Sequence, residues 1–567
     1  MQVPDMESFM TMSWGDIEPY YQTLQENEID PDSLDAWLKG WTRLRELVSE
    51  RYARLQLNSL QDTRDKEAES RFKSFLEDVY PRIEAADQAL KKRILASGLT
   101  LERMDIPLQK MHARAEIYRD ENLPFQAEER KLGLKYNKIR GKQTIVWEDE
   151  EITLVQVRSL MQTPERGVRK QLWKLAAERQ LKDRQDINNN WQQLMEIRGE
   201  LAENAGMESY RAYWWQQLAR LDYEPRDSLR FVDAVEEVVV PAANRIYERY
   251  KENMGLPTVR PWDVVDNRST LHLPVLTAFD REQELVDGVS RIFRSVDPEL
   301  GQKFAIMARE DLLDLSNRKG KAPGAFCTSF PTQKRPFIFM NAVGLAADLT
   351  TLFHESGHAF HVFERSDLPY HHMRRPGNEF GEVASTAMEL LAAPYVTREE
   401  GGFFSPQDAA RFRRAHVEDE LLFWPYMAVV VAFQHWVYEN HQLASRPAAC
   451  DQKWSQLVDR FLPAVDWSGE QDMKETGWQR KLHIHTMPFY YVEYGLALLG
   501  AVQLWGNARE DHSQATRQYR QALSLGGTAS LPVLYETAGA TFAFDAHTLG
   551  DAVQLMEDTL AELEAAF

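Results

Sequence analysis

ADLTTLFHESGHAFHVFER (347–365) repeats apolar residues every three or four positions: Leu349, Leu352, Phe353, Phe360 and Phe363. That period predicts a helix with one apolar stripe. His354, His358 and His361 fall on a different face. His354 and His358 are one turn apart, so both imidazoles can meet one ion. The pattern is HExxH, with Glu355 beside the first histidine. Two imidazole nitrogens suit a zinc ion, and an adjacent carboxylate can take a proton from a water. His361 is seven residues from His354, about 10.5 Å along the axis at 1.5 Å per residue. It reads as a neighbour of the ion, not a ligand.

A catalytic zinc takes three protein ligands and keeps one position open. The next helical stretch, NEFGEVASTAMELLAAPYV (378–396), follows a breaker at Pro376 and Gly377. Glu382 and Glu389 are seven apart and share a face, with Ser385 and Thr386 between them. Val383, Met388, Leu390 and Leu391 mark the helix as largely buried. Buried carboxylates need partners or a metal. Glu382 lies 24 residues beyond His358, enough for a turn and an antiparallel return. Glu379 is a further acid on the same stretch.

Just upstream, PGAFCTSFPTQKRPFIFMN (323–341) is aromatic and β-rich. GAFCTSF and RPFIFM read as strands joined by the turn PTQK. An extended substrate can pair with an edge strand beside a zinc helix, and either strand is a candidate. Cys327 there reads as a buried filler or as a thiol near the cleft. The remaining chain is almost wholly helical in pattern. TIVW and ITLV (144–155) predict a small hairpin linked by EDEE. Thr163 and Pro164 predict the N-cap and first position of a following helix, with helical patterning to about Met254. Residues 255–274 hold three prolines and read as a long loop; helices follow to about Leu315 and again from Ala346 to the end. The expected division is a helical lobe with a hairpin over 1–190 and a catalytic domain over 191–567.

A late strip, HIHTMPFYYVEYGLALLGAVQLW (483–505), packs hydrogen-bonding rings densely. Pro488 predicts a helix start, with His483 and His485 in the loop before it. Tyr490, Tyr491 and Tyr494 fall in the first turns. Such donors suit a tetrahedral oxyanion, although most aromatic stripes are core.

HESGHAFH followed by FGEVASTAMEL resembles the signature of the zinc oligopeptidases of the thimet oligopeptidase and oligoendopeptidase F family. The resemblance is specific over about 310–510. It implies a mainly α fold: two helical lobes around a deep substrate channel, with a small β-sheet beside the zinc helix. It implies one zinc ion held by His354, His358 and Glu382, with Glu389 orienting a zinc histidine and Glu379 as the alternative third ligand, since the link between the two helices varies in length across such a family. It implies Glu355 as general base and His483, Tyr490, Tyr491 and Tyr494 as residues lining the cleft; His485 either joins them or is only a neighbour. The implied activity is endopeptidase action on short peptides. Two rivals stay open: a zinc carboxypeptidase or dipeptide-releasing enzyme on a similar fold, and a non-catalytic peptide-binding protein with a vestigial site.

Composition narrows the field further. Lys and Arg number 67 and Asp and Glu 87 in 567 residues, giving a net charge of −20. Nucleic-acid backbones need concentrated basic residues, so they are poor partners. Two cysteines rule out a disulfide framework. The N-terminus lacks a basic-then-apolar leader pattern, and no stretch reads as the roughly 20 apolar residues of a membrane span. The expected setting is cytoplasmic, with no membrane partner.

Overall fold

The computed structural model describes residues 3–264 and 275–565; the predicted loop is thus described as far as Val264, and 265–274 lie outside the described residues. Helices dominate. Those that matter below are α1 (Leu34–Gln61), α2 (Ala346–Glu364), α3 (Asn378–Ala392), α4 (Pro406–Glu439) and α5 (Tyr491–Glu510). Two small sheets appear among the described residues. One is the hairpin of β1 (Thr144–Trp147) and β2 (Glu150–Thr153). The other contains β3 (Leu313–Ser316), β4 (Phe326–Phe330) and β5 (Arg335–Ala342), in the order β3-β5-β4.

The chain forms two compact units. One gathers Met1–Ala115, Thr277–Pro406 and Gly500–Phe542; the other gathers Glu116–Leu276, Gln407–Leu499 and Ala543–Phe567. A division at residue 190 does not coincide with this partition. Asn190 sits inside the helix Arg184–Asn204, and its side-chain amide donates to the Leu132 carbonyl at 3.2 Å. The chain leaves and re-enters each unit, which a search for a single linker does not detect.

In the first unit, α1 buries Leu34, Leu38, Trp41, Leu44, Val48 and Leu55 on one stripe. Trp41 Nε1 donates to the buried Asp87 at 2.7 Å, satisfying a donor that would otherwise be costly to bury. The predicted stripe of α2 is buried at Leu349, Leu352, Phe353 and Phe360, while Phe363 stays partly exposed. Four such side chains contribute roughly 6–12 kcal/mol as an upper bound. That burial is what fixes the face on which the histidines stand. Asp348 caps the start of α2, accepting from the backbone amides of Val343, Gly344 and Leu345 at 2.8, 2.8 and 2.9 Å.

Several local expectations need correction. The hairpin turn is only Glu148 and Asp149, both at positive φ, not a four-residue link. Leu154 and Val155 belong to the next helix, because Thr153 and Gln156 form a capping box there. Thr163 and Pro164 precede the following helix, which starts at Arg166 with Glu165 as its cap. The helical run expected to Leu315 ends sooner: Leu313–Ser316 is β3, paired in parallel with β5. β4 and β5 do pair antiparallel around Pro331–Lys334, as Phe330 opposes Arg335. β5 is therefore the central strand and offers no free edge; only β4, of the two predicted strands, is an outer one. In the second unit, α4 is long and apolar enough to cross a membrane, contrary to the sequence reading. Its most apolar window is 83% buried in the protein, so its apolar surface is core.

Candidate metal centre

α2 and α3 cross closely. A Cβ on Gly357 would lie 2.3 Å from the Ala384 carbonyl oxygen and 2.6 Å from the Ser385 Cα. No side chain fits there, and the missing one lets the two backbones touch. Tyr519 Oη pins the same carbonyl from the other side at 2.7 Å.

The crossing brings Glu382 of α3 to the histidines of α2. Glu382 Oε2 is 3.6 Å from His354 Nε2 and 3.8 Å from His358 Nε2. The three donor atoms all lie within 4.8 Å of one another. Zinc bonds of about 2.0–2.1 Å in a tetrahedron put donors roughly 3.3 Å apart, so the set needs only a small contraction to hold an ion. The two rings stand nearly perpendicular, at 85°. His354 Nδ1 hydrogen-bonds Glu389 Oε1 at 2.7 Å, which presents Nε2 toward the site. The His358 ring donates to the Gly381 carbonyl. Ser385 Oγ donates to the Glu382 backbone carbonyl at 3.0 Å and to its carboxylate at 3.3 Å.

The electrostatics call for a cation. Burial pulls His354 down, but the Glu389 hydrogen bond and the charges of Glu389, Glu382 and Glu355 outweigh it and lift the ring to about 9. His358 is lowered to about 3 by burial and by charged His354. A single proton on His354 thus partly balances three carboxylates in the metal-free cluster. Glu355 is buried, and burial raises it to about 7, offset in part by His354 and by the Cys327 backbone N–H of β4. Its Oε2 has no hydrogen-bond partner. A buried, unpaired carboxylate oxygen beside two histidines and an acid is the donor chemistry of a hydrolytic metal site.

The other sequence candidates separate clearly. His361 is buried with its ring against Phe380, and it is not part of the ligand cluster. Glu379 is buried near the N-terminus of α3, where its charge acts on Tyr535, and it too lies outside the cluster. The Cys327 thiol is pushed up by burial and by Glu355, so it stays protonated.

Residues 159–550 match the model of peptidase family M3. The chain belongs to peptidase family M3. M3 peptidases are metallopeptidases. The oligoendopeptidase F homolog of Borreliella burgdorferi is 21% identical over 299 residues, 51% of this chain and 48% of that protein. The plasmid oligoendopeptidase F of Lactococcus lactis subsp. cremoris is 23% identical over 433 residues, 72% of this chain and 65% of that protein. The chain thus matches about half to two-thirds of the length of these relatives. The solved structure of PZ peptidase A with an inhibitor has a TM-score of 0.87 at 25% identity, covering 100% of this chain and 99% of that one.

This M3 chain also gathers most of its late strip. In the second unit, His483 lies 6.1, 5.0 and 5.9 Å, ring centre to ring centre, from Tyr490, Tyr491 and Tyr494. The predicted placement needs correction: His483 and His485 sit in a short helix, Leu482–Thr486, and α5 starts at Tyr491 rather than at Pro488. Phe489 at positive φ breaks the chain between the two helices. His485 turns away from the cluster. It is buried and stacked 4.1 Å from Tyr136. Sequence reasoning missed Lys481. Its Nζ donates to Tyr491 Oη at 2.6 Å, and burial followed by the charge of Arg158 lowers it to about 8. A lone lysine before an aromatic run carries no spacing signal. Burial and Lys481 lower His483 to about 4, so it is neutral at pH 7.

Proposed function

We propose that this M3 chain is a zinc-dependent endopeptidase that hydrolyses internal bonds of short peptides. The observation that carries this reading is the triangle of His354 Nε2, His358 Nε2 and Glu382 Oε2 beside the unpartnered Glu355 Oε2. Those three residues would hold one zinc ion. When bound, zinc supplies the Lewis acid that polarises the scissile carbonyl and makes water a competent nucleophile near neutral pH. Glu355 takes a proton from the attacking water and returns it to the leaving amine. Its raised pKa suits both transfers, since a base poised near 7 also yields its proton readily. Glu389 holds the His354 tautomer, and the Gly381 carbonyl orients His358. The hydroxyls of Tyr490, Tyr491 and Tyr494 and the ring N–H of His483 are assigned as donors to the developing oxyanion. Hydrolysis of an internally quenched peptide tests the reading. Cleavage should require metal, stop with chelator and return with zinc. It should also proceed on peptides with blocked C-termini; a strict need for a free C-terminus would favour a carboxypeptidase instead.

A further inference from the structure

The first unit holds a cavity of about 370 Å3 lined by α1, β4 and the C-terminal end of α2. Five cationic side chains face it: Arg45, Lys334, Arg365, Arg374 and Arg375. That concentration is unexpected in a chain of net charge −20. Three of the five are matched. Arg45 pairs with Glu84 at 3.0 Å, Lys334 with Asp367 at 2.7 Å and Arg374 with Glu46 at 2.6 Å. Among the described residues, Arg365 and Arg375 make no ion pair; Arg375 feels Glu84 and Asp87 only at longer range. Two further polar atoms on the wall are orphaned. His371 Nε2 and Arg45 Nε are buried without partners, on residues only 8% and 7% exposed. Unpaired buried donors are costly, and guanidinium groups match the planar, two-oxygen geometry of a carboxylate.

The cavity adjoins the metal centre. Thr328 and Ser329 of β4 line it, while the preceding residue, Cys327, directs its backbone N–H at Glu355. At about 3.4 Å per residue, a chain running along β4 passes from Glu355 to the cavity within one or two residues. Arg365 follows the last turn of α2, seven residues past His358.

We propose that this cavity is a carboxylate-binding subsite for the peptide substrate, with Arg365 and Arg375 as the receiving groups. The inference rests on the peptidase reading. The carboxylate has two sources: an acidic side chain near the scissile bond or the end of the peptide chain. Binding distinguishes them and needs no turnover. The probe is a fluorescein-labelled heptapeptide with Gln throughout its variable positions, titrated against zinc-loaded E355Q. A second set carries a single Glu moved through each position, and a third compares free-acid with amidated C-termini. One Glu position, or the free terminus, should bind at least about tenfold tighter than its neutral counterpart, the return expected from one charge-assisted hydrogen bond. That ratio should fall to about one in E355Q/R365Q and E355Q/R375Q, and R365K should keep part of it. Melting curves identify any variant that fails to fold, in which case the other arginine decides. Equal binding of all acidic and neutral probes, or a preference unchanged in both arginine variants, overturns the subsite while leaving the peptidase reading intact. If neither probe binds and wild type cleaves nothing, the peptidase reading itself fails, and the subsite with it.

Discussion

Glu355 is the general base of the proposed mechanism, and its burial has a cost that can be measured. Its carboxyl rises from 4.5 to about 7 in the metal-free fold. A group whose folded pKa exceeds its unfolded one holds its proton more tightly when folded. Stability is therefore lost as pH climbs from about 4.5 through about 7, and it stays lost above that. E355Q should remove the penalty. Metal-free E355Q should be more stable than wild type at pH 8 by roughly 2–4 kcal/mol, with the two nearly equal at pH 4.5. Melts of chelated protein at both pH values check this, and coincident curves at pH 8 would contradict it. The ligand assignment gives a second expectation at this scale. Zinc affinity should fall most in E382Q, about 10–100-fold in E389Q, and little in E379Q. Competition with a fluorescent chelator measures all three. The i, i+4 spacing of HExxH made this part legible in the sequence, because both imidazoles are set by one helical turn. The choice among Glu379, Glu382 and Glu389 came from the family resemblance and not from spacing, since all three share a buried helix; the crossing of α3 over α2 is what brings Glu382 to the histidines.

That crossing depends on Gly357, whose role the pattern HExxH does not reveal, since its middle positions are unconstrained. In G357A the new methyl would stand 2.3 Å from backbone oxygen, and neither backbone can yield as a flexible side chain could. Overpacking of this kind costs about 1–3 kcal/mol. G357A should melt lower and bind zinc more weakly, whereas an alanine at Gly381, where nothing lies within 4 Å of the added Cβ, should leave stability nearly unchanged. Elements built from local signals were the legible ones: the apolar stripe of α2, the β4–β5 hairpin around Pro331–Lys334, and the buried face of α3. β3 was not, because a four-residue strand paired in parallel gains its stability from a distant partner. The late strip was read as loop then helix; Phe489 at positive φ instead separates two helices. If its rings serve the transition state, Y494F and H483A should lower kcat by about 10²–10³-fold with little change in KM or melting temperature. If they are core, stability should fall while turnover per folded molecule persists. Steady-state kinetics beside melting curves separate the two.

At the scale of the whole chain, composition spoke to class and little else. Helical dominance was legible because period and propensity are local properties. The partition into two units was not, since each is assembled from three separate stretches. The apolar run of α4 is indistinguishable by composition from a spanning helix, and only its burial identifies it as core. Metal binding should register on the molecule as a whole. A ligand that binds only the folded state raises stability in proportion to the logarithm of its concentration, so zinc should lift the melting temperature of wild type and E355Q but not of E382Q.

The most direct test of the account is zinc content and peptide turnover measured on the same preparations of wild type, E355Q and E382Q. The predicted result is one zinc per chain in wild type and E355Q, turnover about 10²–10⁴-fold lower in E355Q, and loss of both zinc and turnover in E382Q. Near-normal turnover in E355Q, or a full complement of zinc in active E382Q, would contradict it.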